Sequence, residues 1–380
     1  MENVYKVRKY ALNEWLKWIK PVVLAVLVTI VTYLHTWIEE VYSINIYPYL
    51  GMVQRGLFGW LPFSIGDILY FLLGLWLVIK VFKTVKATFQ RKITKHKTIR
   101  RIFKLARLIL WIYIIFNLIW GWNYHRKGLD HQLQLPTGSY SSSEVKQVMK
   151  EVIIKLNENR KLISIDTILP ERSFKALASQ AAKSYESAAN DFPFLEYTNI
   201  SIKKSMYSKA AEYFGFSGYY NPFTGEAQLR THLPEIMKPF ILCHEIGHQV
   251  GYAKENEASF AGYIAASYSN DAYFRYSVYL DLYSSVQSKL LYTSFEEGDT
   301  TVVAQLKDYN QKLDTLVRFD RRKIREFFRR NRTQFSENMS FAVMTMYEHY
   351  LKANAQTAGL KSYEDVVSLL IAYRRKYGRI

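Results

Sequence analysis

Three long apolar runs dominate the first third of the chain, and an amphipathic pattern takes over after them. Pro21 to Ile38 carries no formal charge, Ile65 to Phe82 has Asp67 and Lys80 only near its ends, and Leu108 to Tyr124 has Asn117 as its one strongly polar interior residue. At about 1.5 Å per residue, runs of this length cross a hydrocarbon core of roughly 30 Å. They predict three transmembrane helices at about 21–38, 65–82 and 108–124, within a membrane region spanning 1–124. Trp37, Trp60, Trp111, Trp120 and Trp122 fall near the ends of these runs, where interfacial tryptophans concentrate.

Beyond Tyr124 the apolar runs stop. Residues 125–143 read as a linker, with Pro136, Gly138 and a serine run from Ser141. Residues 144–380 read as one mainly helical α+β domain with a small sheet or hairpin. Ser143 caps a helix whose Val145, Val148, Met149, Val152, Ile153 and Leu156 recur at three and four residues. Alanine content and spacing predict a second helix over Arg172 to Ala189. Asn199 to Arg230 reads as strand, with Asn221-Pro222-Phe223-Thr224-Gly225 as a hairpin turn. Pro239 suits the first turn of a helix that Gly251 ends, and another helix begins near Asn256. Ser362 to Asp365 opens a last helix through Val366, Leu369 and Leu370.

The formal net charge of +18 raises the question of nucleic acid. Its distribution answers it. Lys80 to Arg107 holds eleven Lys and Arg and no Asp or Glu, between two apolar runs. That is the signature of a membrane-flanking loop, so no nucleic-acid partner is expected. Lys6, Arg8, Lys9, Lys17 and Lys20 precede the first run, whereas Glu39 to Ser64 has Arg55 alone. The positive-inside rule then places the N-terminus and the basic loop in the cytoplasm and everything after about Asn123 outside. The basic stretch Arg318 to Arg332, with Phe319, Ile324, Phe327 and Phe328 interleaved, reads as a solvated amphipathic helix or as a contact with anionic lipid headgroups. Cys243, the one cysteine, reads as a small buried helix residue, with a thiolate metal ligand as the alternative.

The chemistry concentrates in His244-Glu245-Ile246-Gly247-His248. On a helix, H-E-x-x-H sets two imidazoles one turn apart on one face, able to chelate one Zn²⁺, with the intervening carboxylate as a general base. Cys243, Ile246 and Val250 form the opposite stripe and face the core. A catalytic zinc wants a third protein ligand and an open position. Glu257, nine residues past His248 and at the opening of the next helix, is the expected ligand. Glu255 is the runner-up, and a solvated first-turn glutamate is the alternative for both. An oxyanion would need a donor beside the metal. Tyr219, Tyr220, His232 and His349 are the candidates, and their residue types alone do not rank them.

His244 to His248 followed by a glutamate on the next helix resembles the gluzincin class of zinc metallopeptidases. Lys254 stands where the metzincin pattern wants a third histidine. In closer detail, Gly218 to Gln228, the H-E-x-x-H-Q-x-G-Y run, Glu257 to Phe260 and Tyr350 to Asn354 resemble a family of bacterial three-span membrane proteins catalogued as a domain of unknown function. The resemblance implies a zincin-like domain, one zinc ion and a place in the bacterial cytoplasmic membrane with the C-terminal domain extracytoplasmic. The expected function is a membrane-anchored zinc peptidase acting on peptide or protein. A non-catalytic zinc-containing sensor or assembly protein, and a hydrolase of envelope amides, are the alternatives.

Overall fold

The computed structural model describes residues 2–90, 95–136, 138–163, 171–331, 333–354, 356 and 366–380. Helix dominates, with two to three candidate membrane spans and one small mixed sheet. The expected opening of the last helix at Ser362 to Asp365 lies outside the described residues.

Two helices are long and apolar enough to cross a membrane unaided: α4 (Ile65–Phe89) and, within α5 (Lys95–Ile119), the stretch Thr98–Ile119. The first predicted span departs from expectation. Helix α1 (Glu2–Val31) stops seven residues short of Ile38, and the chain bends by 86° into His35–Phe58. This second arm comprises α2 (His35–Trp37), a π-helical stretch Ile38–Ile46, and α3 (Tyr47–Phe58). No Pro or Gly marks the bend. Instead Thr32 Oγ1 bonds Thr29 O at 2.6 Å and tight turns close over Ile30 and Val31, the kind of hydroxyl back-bonding that bends helices.

What draws the arm sideways is an aromatic core. Tyr42 and Tyr47 pack on Trp120 and Trp122, joined by Tyr124. Trp120 and Trp122, expected at the lipid interface, are therefore buried in protein. Beside them Arg126 grips Glu39 through two parallel bonds of 2.8 and 3.2 Å, donates to Gly251 O at 3.0 Å, and lies over the Tyr252 ring. Both charges are buried, so removing either partner would cost about 3–5 kcal/mol.

The remaining elements are α6 (Leu129–Gln132), α7 (Ser142–Ile163), α8 (Phe174–Ala189), α9 (Ser208–Phe214), α10 (Lys238–Gln249), α11 (Glu255–Ser267), α12 (Ala272–Glu296), α13 (Val302–Gln311), α14 (Thr315–Arg330), α15 (Gln334–Ala353) and α16 (Val366–Tyr377). The α7 stripe is as the periodicity predicts, with all six apolar positions buried. It packs along α12, while α8, α10, α11 and α16 close the main core. Residues 125–135, expected as linker, are folded onto it, with Leu129, Leu133 and Leu135 buried. On α14, Asp320 turns inward to pair with buried Arg160, and Arg321 lies over Tyr283.

The region expected as strand contains a helix. β1 (Ile202–Lys204) is followed by α9, closed by Gly215 in the left-handed conformation, and only then by β2 (Gly218–Asn221) and β3 (Glu226–Leu229). Alternation at Ile200 and Ile202 does not extend into Ser208–Phe214, where a pair of alanines favours helix. The sheet order is β1-β3-β2. β1 runs parallel to β3 with Ile202 opposite Ala227, and β2 runs antiparallel with Gly218 opposite Leu229.

This sheet is bolted to the start of α4, one of the candidate spans. Glu226, wholly buried, accepts from Ile65 N (3.1 Å), Gly66 N (2.7 Å) and Ser64 Oγ (3.0 Å) at the start of α4. A carboxylate there satisfies orphan helix donors and meets the positive end of the helix dipole. Asp67 in the same turn accepts from Met206 N and Tyr219 Oη.

Candidate active site

Helix α10 carries the motif, with Pro239 in its first turn and Gly251 just beyond its end. Cys243 and Ile246 face the core, as the stripe predicts, and burial pushes the Cys243 thiol pKa far up. Among the described residues Cys243 is not part of the group that could hold a metal ion. On the other side His244 and His248 lie one turn apart and meet edge to face, ring centroids 4.8 Å from each other.

Helix α11 lies against α10 at backbone distance. A Cβ on Gly247 would meet Ala258 O at 2.8 Å, and one on Gly262 would meet His244 N at 2.9 Å. Only small residues permit this approach, and it brings the first turn of α11 beside the two imidazoles. Glu255 Oε2 then lies 3.2 Å from His244 Nε2 and 3.5 Å from His248 Nε2. Among the described residues these three form a group able to hold a metal ion, their ligand atoms all within 4.8 Å of one another.

The structure thus brings the runner-up Glu255 to the two histidines and places Glu257, the expected ligand, away from them. Two residues along a helix is a rotation of about 200°, so the two carboxylates leave α11 on opposite faces. Glu257 bonds Lys254 Nζ at 3.1 Å and lies against Gly128. Ser259, four residues after Glu255, shares its face and sits 3.1 Å from His244 Nδ1. Tyr252 O accepts from His248 Nδ1 at 2.7 Å. Both Nδ1 atoms being engaged, both Nε2 atoms turn to the shared point, the arrangement that outer partners impose on metal-binding imidazoles.

Electrostatics follow from burial. Burial opposes charge on His248, but the Glu255 carboxylate outweighs it and brings the pKa up to about 9. Burial and the charged His248 ring keep His244 below its ordinary value. Glu255 resists its own burial through the two rings and stays well below the usual carboxylate range. One carboxylate and two imidazoles so arranged stabilise positive charge at a common point, and the donor set of two nitrogens and one oxygen suits zinc.

Glu245 points into the same space. Burial pushes its pKa up to about 8, and its Oε2 is buried without a hydrogen-bond partner. It fits because residue 218 is glycine: a Cβ there would lie 2.5 Å from Glu245 Oε1. All four motif-region groups open into one cavity of about 700 Å³.

Of the oxyanion candidates, the structure brings two to this cavity and leaves two out. Tyr219 lines it, with its hydroxyl held by Asp67 Oδ1 (2.6 Å) and Ser205 Oγ (2.8 Å). Tyr220 lines it too, its ring stacked near His248 and its hydroxyl on Tyr47. His232 is exposed beside Glu212 and Phe327, and His349 is exposed on α15. Neither reaches the site. The tyrosine that does is one the sequence reading passed over. Tyr347 donates to Glu255 Oε1, and Tyr350 stacks on it one turn later, both facing the cavity. Their i, i+3 spacing was the available signal. Gln249 was missed as well: its amide bonds Ser201 O and Gly225 O and accepts from Tyr197 Oη, tying α10 to the sheet.

Residues 42–371 match the family described as Protein of unknown function (DUF3810). The chain belongs to that family. The match starts beyond the first apolar run and includes every site residue named above; it carries no catalytic assignment. No curated protein and no solved structure matches the chain.

Proposed function

We propose that this member of the family is a membrane-bound zinc metallopeptidase of gluzincin-like type. The observation that carries the reading is the convergence of His244 Nε2, His248 Nε2 and Glu255 Oε2 beside a buried carboxylate in a cavity. A structural zinc fills all its positions with protein and has no use for such a neighbour.

His244, His248 and Glu255 would hold the ion, which when bound supplies Lewis acidity toward a carbonyl and acidifies a water. Glu245 does the proton work. Its carboxylate lines the same cavity as the three ligands, placed to take a proton from a water there and return it. The water oxygen forms the new C–O bond, the amide C–N bond breaks, and the proton held on Glu245 passes to the departing nitrogen. Tyr347 fixes the Glu255 carboxylate through its second oxygen. Strand β2 is an outer strand of the sheet and lines the cavity with Gly218, Tyr219 and Tyr220. An extended peptide can pair with such an edge. The Lys and Arg distribution supports an extracytoplasmic site.

The test is metal content and peptide-library cleavage by the full-length protein. Wild type should carry one zinc and cleave; Glu245→Gln should keep the zinc and lose turnover by at least about a hundredfold. Absence of zinc from the wild type, or substantial turnover in the Glu245 variant, overturns the assignment.

A further inference from the structure

The cavity that holds the site does not end at the site. Its far walls come from the membrane helices: Tyr70 on α4, and Ile109, Ile112, Tyr113 and Phe116 on α5. These positions lie at the same end of two antiparallel spans, near the start of α4 and the finish of α5. Helix α5 packs along α1, and Arg101 on α5 donates to Thr84 on α4 at 3.1 Å, toward the opposite ends of the two helices. Tyr70, Ile109, Ile112 and Tyr113 are exposed on the flank that faces the bilayer in a three-span protein.

Three features say what such a cavity takes. Its lining is almost wholly aromatic and aliphatic, and among the described residues the acidic groups Glu245 and Glu255 with their two histidines are its only ionisable members besides tyrosines, with no Lys or Arg to anchor a polar peptide. Ile109 and Trp120, both on its wall, are eleven residues apart, which along a helix is about 16 Å, close to half a hydrocarbon core of roughly 30 Å. The cavity therefore extends along much of the second half of α5, from the motif toward the middle of the candidate span. Its volume of about 700 Å³ has room for a single hydrocarbon chain.

We infer that the peptide substrate of this site is lipid-anchored: its acyl chain enters sideways between α4 and α5, lies along Ile109, Ile112 and Phe116, and thereby sets the scissile amide beside Glu245. The inference rests on the peptidase reading for its chemistry and on the cavity alone for the chain.

The experiment uses full-length, zinc-loaded protein in vesicles of phosphatidylethanolamine and phosphatidylglycerol. One peptide library is presented in two forms at equal surface density, either N-palmitoylated or fused to a single transmembrane helix. A palmitoyl probe with a diazirine near the chain end is photolysed in parallel and the labelled residues are mapped. The palmitoylated library should be cleaved with at least about tenfold higher kcat/KM, and labelling should concentrate on Tyr70, Ile109, Ile112 and Phe116. Ile112→Trp, which narrows the cavity, should lower both. Equal cleavage of the two libraries, or labelling spread evenly over outward residues such as Leu72 and Val78, overturns the inference and leaves the peptidase reading standing. Labelling in the cavity with no cleavage in any form removes the peptidase reading and keeps the chain site.

Discussion

Two helix pairs wall the same cavity and are built on opposite principles. In α10 and α11 glycines let the backbones touch, and three ligand atoms are held within 4.8 Å. Helices α4 and α5 meet through Thr84 and Arg101 and present apolar side chains outward. The first pair fixes distances, as a metal-binding constellation must. The second lines the cavity with an exposed apolar flank, as the inferred entry of an acyl chain requires. Rigidity and access are thus assigned to different elements, joined through Glu226 capping α4 and Gln249 tying α10 to the sheet.

The largest effects should come from breaking the first pair. His248→Ala and Glu255→Ala are expected to reduce zinc affinity by more than the roughly 10–100-fold that outer partners contribute. Glu257→Gln should keep the zinc stoichiometry while losing stability, since its carboxylate serves Lys254 on the other face of α11. Metal titration of the three variants decides. The reverse result would put the ligand back on Glu257.

Next comes the contrast in surroundings. Leu72 on α4 and Ile154 on α7 are equally exposed, at 52% and 53%. Only Leu72 belongs to a candidate span. Leu72→Arg should cost about 2.5–3.5 kcal/mol of insertion free energy and lower the membrane-integrated yield, whereas Ile154→Arg should stay within about 0.5 kcal/mol. Equal tolerance at both sites would mean that α4 faces water.

Much of the first pair was legible in the sequence, because it is local. Pro239 and Gly251 bracket α10, the histidine spacing sets one face, and the α7 apolar stripe needs nothing beyond its own period. The third ligand was not legible to the same degree. Which face a glutamate leaves depends on how α11 lies on α10, and that is decided by Gly247 and Gly262 meeting backbone across the interface. The bend after Val31 was hidden for a like reason: the threonines that turn the chain are ordinary in a membrane-type run, and the aromatic core that receives the second arm is built from the distant Trp120 and Trp122. His232 and His349 were named for their residue type, and topology carried both elsewhere.

Gly262→Ala probes the close approach directly. Helix propensity favours alanine by about 1 kcal/mol. Against it stands a methyl 2.9 Å from the His244 backbone nitrogen, which cannot swing aside, and overpacking of this kind costs about 1–3 kcal/mol. The net expectation is a destabilisation of about 1 kcal/mol in denaturant unfolding, with weaker zinc binding as α11 is pushed outward. A gain in stability with unchanged zinc affinity would show that the helices have room to spare.

The smallest expected effects separate positioning from ligation. Tyr347→Phe removes the donor to Glu255 Oε1 and leaves the ring against Tyr350 and Phe216. A hydrogen bond to a carboxylate contributes about 1.5–3 kcal/mol, which bounds the loss of zinc affinity at about 10- to 150-fold. Ser259→Ala removes a neutral partner of His244 Nδ1, worth about 0.5–1.5 kcal/mol, so its loss should be about tenfold or less. The order matters more than either value. Tyr347 reaches the ligand carboxylate from α15, outside the α10–α11 pair, so a larger effect there would mean that the rigid pair is completed from the far side of the cavity. If Ser259→Ala proved the more damaging, the constellation would be self-contained and Tyr347 would be packing alone.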